Sequence, residues 1–467
     1  MNTISDSIAK TKILATLGPA TQSVSAIRQL ILGGVDGVRL NLSHGSYDFF
    51  DEIFNSIHTA CLEEKTSLAV LVDVQGPKIR IGELEQPSIE LQTGNSIEIT
   101  IDDIKGNEKI ISTSYKQLVN DAQVGDQILI NDGLIRLKVK SKKITLTPKK
   151  GMNLPGMNLS TPSITEKDFR DLEFVTKHRI DYIALSFVRS ADDVVELKKW
   201  LAEKGKNIPV IAKIEKKEAV DNLFEIILAA DGIMIARGDL GVELPPQEVP
   251  VLQKTIIRQC NAMGKLVITA TQMLESMINS PIPTRAEASD VANAVWDGTD
   301  VVMLSAETSI GKFPFRTVQI MNDIILNAEQ HDEDRTQNYF ITPDSLQEKL
   351  FDSVGKAIVE ISKQINAQAI VVFTFEGRTA RLISKYKPES KIIAISNSFE
   401  TMNNLCLRRG VTSVHSEKFD KEHLAIDDAK DLLLNSGFVR KGDLIIFTAG
   451  APYSEKSRAN WLRFEVI

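Results

Sequence analysis

Eight short apolar runs recur along the first two-thirds of the chain: KILATL (12–17), GVRLNL (37–42), LAVLVDV (68–74), YIALSF (182–187), PVIAKIE (209–215), GIMIA (232–236), LVITAT (266–271) and VVMLSA (301–306). Their apolar residues run on without the polar alternation of a half-exposed strand. Each therefore reads as a strand buried on both faces. Helical patterns lie between most of them. SADDVVELKKWLAEKG (190–205), for example, opens on Ser190 or Asp192 as N-cap and stops at Gly205. Eight strand–helix units predict an α/β fold, a closed (β/α)8 TIM barrel with right-handed crossovers.

Two stretches break this rhythm. After Val74, SIELQTGNSIEITI, GDQILINDGLIRLKVK and KKITLTPKKG alternate with period two, punctuated by Gly, Asn and Asp and without a convincing helix. They predict a small all-β module of hairpins inserted after the third strand, set over the barrel mouth as a lid. The helical run 165–179 then resumes the barrel. Beyond about residue 335 a polar linker leads to a helix over 346–365. Strands follow at AIVVFT (369–374), KIIAIS (391–396), VTSVHS (411–416) and DLIIFTAG (443–450), the mark of a separate doubly wound α/β domain. The expected boundaries are 1–75 with 162–335 for a discontinuous catalytic barrel, 76–161 for the lid and 336–467 for a C-terminal effector and oligomerisation domain.

Composition narrows the function. Across 467 residues, 55 basic and 62 acidic side chains leave a net charge of −7, which argues against nucleic acid or an anionic membrane as partner through bulk electrostatics. Three scattered cysteines make neither a disulfide framework nor a zinc site. The first residues hold no secretory apolar core, and no run reaches the ~18 residues that span a bilayer. The expectation is a soluble cytoplasmic protein.

Barrel chemistry gathers at the C-terminal ends of the strands. There the chain carries Arg39, Asn41, Ser43 and His44 after strand two, and Asp73, Gln75, Lys78 and Arg80 after strand three. Ser186 and Arg189 follow strand four, Lys213 and Glu215 close strand five, and Arg237-Gly238-Asp239 follows strand six. Thr271 and Gln272, then Ser305, Glu307 and Thr308, complete the ring. Taken singly, most such residues are loop salt bridges. Lys213 is different, since an ammonium inside a buried run needs a partner or a job. Glu215 and Asp239, on adjacent strand ends, could share one hard divalent cation. With Arg39 and Thr271 they describe a Mg2+-dependent barrel enzyme acting on a small phospho- or oxo-acid.

At these residues the sequence resembles the pyruvate kinase family. ATLGPA (15–20), RLNLSHG (39–45), DVQGPKIR (73–80), KKGMNLPG (149–156), AKIE (212–215), ARGDLGVE (236–243), ATQMLESM (270–277) and GTDVVMLSAET (298–308) occur in the right order, and the likeness spans the whole chain. The resemblance implies phosphoryl transfer from phosphoenolpyruvate to ADP, giving pyruvate and ATP in the last step of glycolysis, and a homotetramer. It implies Mg2+ (or Mn2+) on Glu215 and Asp239, and a charge-stabilising role for Lys213 on the phosphoryl group and the enolate. Arg39 would contact the phosphate. The backbone at Gly238 and Asp239 would face the substrate carboxylate, and Thr271 would stand near the enolate carbon. Nucleotide contacts would fall to Asn41, His44, Arg80 and the lid residue Lys150.

The family commonly holds K+ near a segment reading DTKGPEIR. Here Asn41, Ser43 and Asp73 match, with the carbonyl of Val74, but Lys78 replaces a glutamate and Gln75 a lysine. A fixed ammonium at 78 predicts that K+ is dispensable. TFEGRTAR (374–381) resembles the loop where many members bind a phosphorylated activator, on Thr374, Gly377, Arg378 and Thr379. Glu376, where a hydroxyl is usual, favours a sugar monophosphate or nucleotide over a bisphosphate. Two rivals remain: a barrel lyase or aldolase, which needs neither nucleotide contacts nor lid, and a catalytically dead effector scaffold.

Overall fold

The computed structural model describes residues 9–77, 79–130, 135–140, 152–153, 162–331, 341, 345–417, 422–450 and 459–467. The strands, in chain order, are β1 (Lys12–Thr16), β2 (Gly37–Asn41), β3 (Ala69–Asp73), β4 (Glu98–Thr100), β5 (Ile110–Ser112), β6 (Gln127–Ile130), β7 (Ile135–Lys138) and β8 (Met152–Asn153). They continue as β9 (Tyr182–Leu185), β10 (Val210–Ile214), β11 (Gly232–Ala236), β12 (Leu266–Ala270) and β13 (Val301–Leu304). The last five are β14 (Ala369–Phe373), β15 (Lys391–Ser396), β16 (Val411–His415), β17 (Leu444–Ala449) and β18 (Trp461–Val466).

A closed parallel barrel runs β1-β13-β12-β11-β10-β9-β3-β2. Alternation along each strand divides its core in two. Ile13, Val38, Val70, Ile183, Val210, Ala212 and Ile214 pack outward against the helices. Leu14, Leu71, Ala184, Ile211, Met234, Ile268 and Met303 fill the interior. Because side chains two apart share a face, the positions following these interior residues form the next layer up the barrel: Thr16, Asp73, Ser186 and Lys213. Apolar packing below thus carries polar residues above. Among the described residues no helix is long and apolar enough to cross a membrane.

The barrel floor is closed from outside. Leu407, just beyond the helix Phe399–Leu405, belongs to the interior cluster. A Cβ on Gly37 would come within 2.8 Å of its Cδ2, which is why β2 begins on a glycine.

Between β3 and β9 the chain builds its own small core from Ile79, Ile81, Ile111, Tyr115, Leu118, Ile128 and Ile130. Only part of it is hairpin. β6 and β7 pair antiparallel, with Ile130 opposite Ile135, but β4 and β5 pair in parallel. A short helix, Leu118–Asp121, also appears where the sequence pattern predicts none. The connection back to the barrel is pinned by Asp168. Its side chain takes part in a reciprocal capping box with Thr165, and it accepts the Gly76 N–H at 3.0 Å.

The C-terminal sheet runs β16-β15-β14-β17-β18. Alternate residues of β14 and β15 again face two cores: Val371, Phe373 and Ile393 on one side, Ile370, Val372 and Ile392 on the other. Helices therefore cover both faces, as expected of a doubly wound domain. The sheet is mixed, because β18 joins β17 antiparallel and forms an edge that the apolar pattern does not reveal.

Candidate active site

The polar layer at the barrel mouth is a chain of alternating charges. The Arg39 guanidinium grips Asp73 Oδ2 through Nε at 2.8 Å and Nη2 at 2.7 Å, and its Nη1 donates to Thr16 Oγ1 at 3.1 Å. Lys213 Nζ lies 3.2 Å from Asp73 Oδ1 and 2.8 Å from Glu215 Oε1, and it donates to Ser186 Oγ at 2.8 Å. Glu215 accepts the Phe187 N–H on its second oxygen at 2.8 Å. All four charged side chains are buried.

Their protonation follows from these contacts. Burial works against the Lys213 charge, but Asp73 and Glu215 outweigh it and hold the ammonium above its ordinary value. Burial likewise pushes Asp73 up, and Lys213 with Arg39 overcomes it, leaving the carboxyl below the usual range. Glu215 goes the other way. Burial raises it, Lys213 pulls it down, and the negative charge of Asp239 adds to the rise. Lys213 answers to two carboxylates, whereas Glu215 also faces a like charge.

Asp239 sits in the first turn of the helix Arg237–Glu243. Among the described residues, no hydrogen bond or ion pair holds its carboxylate. A buried carboxylate facing a second, unengaged one is an arrangement that a divalent cation relieves, so the donor set fits Mg2+. No group of three or more potential metal ligands occurs among the described residues.

Opposite, the loop after β12 is held in a strained form. Thr271 and Gln272 have φ of 68° and 56°, a region β-branched residues rarely enter. Arg237 holds the turn, donating through Nη2 to the Thr271 carbonyl at 2.7 Å while Nη1 pairs with Asp290 at 2.6 Å. The Gly238 N–H donates to Thr271 Oγ1 at 2.8 Å, and that hydroxyl donates to the Ala270 carbonyl at 2.6 Å. Gly238 and Thr271 are thereby in direct contact.

Not every strand-end residue belongs to this layer. Glu307 accepts the N–H groups of Ser305 and Leu274, and Arg189 lies by Ser163 and Asp193, so both hold loops. Among the expected cation ligands, Asn41 Oδ1 accepts the Ser43 N–H at 3.1 Å and the Val74 carbonyl accepts the Ser186 hydroxyl at 2.7 Å. His44 is exposed beyond β2, and Arg80 lies where the inserted module begins, its backbone bonded to Ser114. Lys78 and Lys150 lie outside the described residues. By sequence alone, Asp73 has only an ion-ligand role and Ser186 has none. Both occupy inward-facing positions level with Lys213, and strand parity was the available signal.

A family model described as the pyruvate kinase barrel domain matches residues 8–318, and the pyruvate kinase alpha/beta domain matches 352–464. The chain belongs to the pyruvate kinase family. It is 42% identical to the pyruvate kinase of Staphylococcus aureus strain USA300, across 98% of this chain and 80% of that one, and equally to that of strain NCTC 8325 / PS 47. The crystal structure of a pyruvate kinase from Cryptosporidium parvum superposes with a TM-score of 0.89 at 36% identity, covering 98% and 96% of the two chains.

In the C-terminal domain, the loop from Thr374 to Thr379 is compact. Gly377 takes a φ of 74° and donates its N–H to Thr374 Oγ1 at 2.9 Å. Thr379 is buried, and Arg378 pairs with Glu376 at 2.7 Å.

Proposed function

We propose that the chain is a phosphotransferase that moves the phosphoryl group of phosphoenolpyruvate to ADP. The bond from phosphorus to the enol oxygen breaks, a bond from phosphorus to a β-phosphate oxygen of ADP forms, and the enolate left behind takes a proton at carbon to give pyruvate. The observation that carries this reading is the buried chain Arg39–Asp73–Lys213–Glu215, which keeps two cations charged at the barrel mouth. Phosphoryl transfer needs little covalent help from a protein and much fixed positive charge.

Arg39 binds the phosphate, and Lys213 stabilises charge on the phosphoryl and enolate oxygens. Asp73 positions both cations. The amides at Gly238 and Asp239 meet the substrate carboxylate, and Thr271 stands on the path of the proton. Asn41, His44, Arg80 and Lys150 take the nucleotide, the last brought in by the inserted module as a lid. Glu215 and Asp239 would hold Mg2+ or Mn2+, which when bound supplies further positive charge to the same oxygens.

The family generally works with K+ as well. In this chain Asp73 is already engaged by Arg39, Lys213 and Ser186, and the Val74 carbonyl by Ser186, which supports a site that does without a monovalent ion, with Lys78 supplying the fixed charge. A phosphorylated activator is read at Thr374, Gly377, Arg378 and Thr379, in a cytoplasmic homotetramer.

A coupled assay tests the reading. Pyruvate should appear from phosphoenolpyruvate only when ADP is present; release without ADP would mean that water takes the phosphoryl group, and the enzyme would be a phosphatase and not a kinase. In tetramethylammonium-balanced buffer, turnover should persist when K+ is omitted, and near-total loss would sink the role given to Lys78.

A further inference from the structure

The helix Arg237–Glu243, which carries Asp239, has little of its own to hold it in place. It spans seven residues, no side chain caps its start, and Gly238 and Gly241 weaken it from within. Of its buried residues only Leu240 is apolar; the other is Glu243. At the N-terminal end Arg237 is fixed to Asp290 and to the Thr271 carbonyl. A different pair fixes the C-terminal end. Lys216 Nζ lies 2.5 Å from Glu243 Oε1, with the two side chains 9% and 1% exposed. Glu243 Oε2 has no hydrogen-bond partner among the described residues, so Lys216 is the group that holds this carboxylate.

The pair stands directly behind the two carboxylates of the barrel mouth. Lys216 follows Glu215, and its backbone is still extended, with φ of −118° and ψ of 152°. Alternation therefore sends Glu215 into the mouth and Lys216 out of it, toward the helix. Glu243 lies one turn beyond Asp239 on the same helix face. Its carboxyl is raised by burial and lowered by Lys216, and the charges of Glu218 and Asp239 raise it again. One ion pair thus joins the neighbour of one carboxylate to the helix of the other. A buried lysine–glutamate pair is often no more stable than two apolar side chains of similar size, because both charges lose their water. What it supplies here is a fixed length and direction.

We propose that Lys216 is a positioning residue for the divalent cation: its ion pair with Glu243 fixes the helix so that Asp239 and Glu215 converge on one ion. The inference rests on the reading of those two carboxylates as the Mg2+ or Mn2+ ligands. Asp239 needs this support, since among the described residues no hydrogen bond or ion pair holds its own carboxylate. Glu215 is set directly by Lys213 and the Phe187 N–H, whereas Asp239 is set from behind, through its helix.

Binding of Mn2+ to the full chain, followed by electron paramagnetic resonance alongside Tm, tests this. Lys216→Met combined with Glu243→Leu removes both charges and keeps the volume. This first double variant should bind Mn2+ about 10–100-fold more weakly, with Tm unchanged or raised. Lys216→Arg combined with Glu243→Asp lengthens one partner, shortens the other and remakes the pair. This second double variant should return the affinity to within about threefold of the parent. The proposal is overturned if the first variant binds Mn2+ as the parent does, if its Tm falls by several degrees, or if the second binds as weakly as the first. Asp239→Asn distinguishes this failure from that of the underlying reading. It should abolish tight Mn2+ binding; if binding survives, Asp239 is not a ligand, and the cation site and this proposal fall together.

Discussion

Lys213 shows how far a single position can be argued. Its neighbours Ala212 and Ile214 pack outward against helices, so its own side chain points to the barrel axis, where Asp73, Ser186 and Glu215 receive it. Lys213→Met keeps the apolar stem and removes the charge. Turnover should fall about 10²–10³-fold or more, the scale of losing one fixed donor at a developing negative charge. Binding of Mn2+ should persist, since Lys213 then no longer occupies Glu215 Oε1; electron paramagnetic resonance of bound Mn2+ separates the two effects. Unaltered turnover would remove Lys213 from the chemistry. The direction of this lysine was legible from alternation along one strand. Its partners were not, because Asp73 and Lys213 lie far apart in sequence and meet only when β3 and β10 curve into the same closed barrel. The strain at Thr271 was equally hidden, since nothing in the letters ATQ announces a positive φ.

Among elements, the strands entering the barrel were readable wherever both faces are buried. They were harder to read where one face meets water. β18, with Arg463, Phe464 and Val466 exposed, escaped the pattern for that reason, and the parallel pairing of β4 with β5 is a direction that alternation along a strand does not encode. The start of β9 offers a test of a different kind. Asp181 is buried, accepts the Val70 N–H at 2.8 Å and has Arg179 only at 3.9 Å. Burial raises its carboxyl from 3.8 to about 6, partly offset by Arg179 and the Val70 N–H. The folded state therefore holds this proton more tightly than the unfolded chain. Its contribution favours folding below the unfolded value and is lost as pH rises through about 6. Asp181→Asn keeps an acceptor for Val70 and abolishes the titration. Relative to the parent, the variant should gain on the order of 1–2 kcal/mol between pH 5 and pH 8, at about 1.4 kcal/mol per pH unit over the titrating range. Urea unfolding at the two pH values measures it, and a difference that does not change with pH would mean Asp181 does not titrate there.

For the whole molecule, the question is whether barrel and C-terminal domain unfold as one body. The contacts between them are specific. Leu407 is buried in the barrel interior, the Gly410 N–H donates to the Lys10 carbonyl at 2.8 Å, and buried Arg409 lies 3.5 Å from Glu329. A residue of one domain thus completes the core of the other. Leu407→Ala should cost the barrel about 2–5 kcal/mol, the range for emptying a buried leucine site. The loss should show in the barrel although the substitution lies in the C-terminal domain. The three tryptophans make this observable, since Trp200 and Trp296 belong to the barrel and Trp461 to β18. In the parent chain, single-tryptophan variants should report one coincident urea transition. In Leu407→Ala, the Trp200 and Trp296 signals should move to lower urea while Trp461 moves less, splitting the transition. If all three reporters shift together, the domains are joined by more than this plug. If none shifts, Leu407 contributes no stability to the barrel floor.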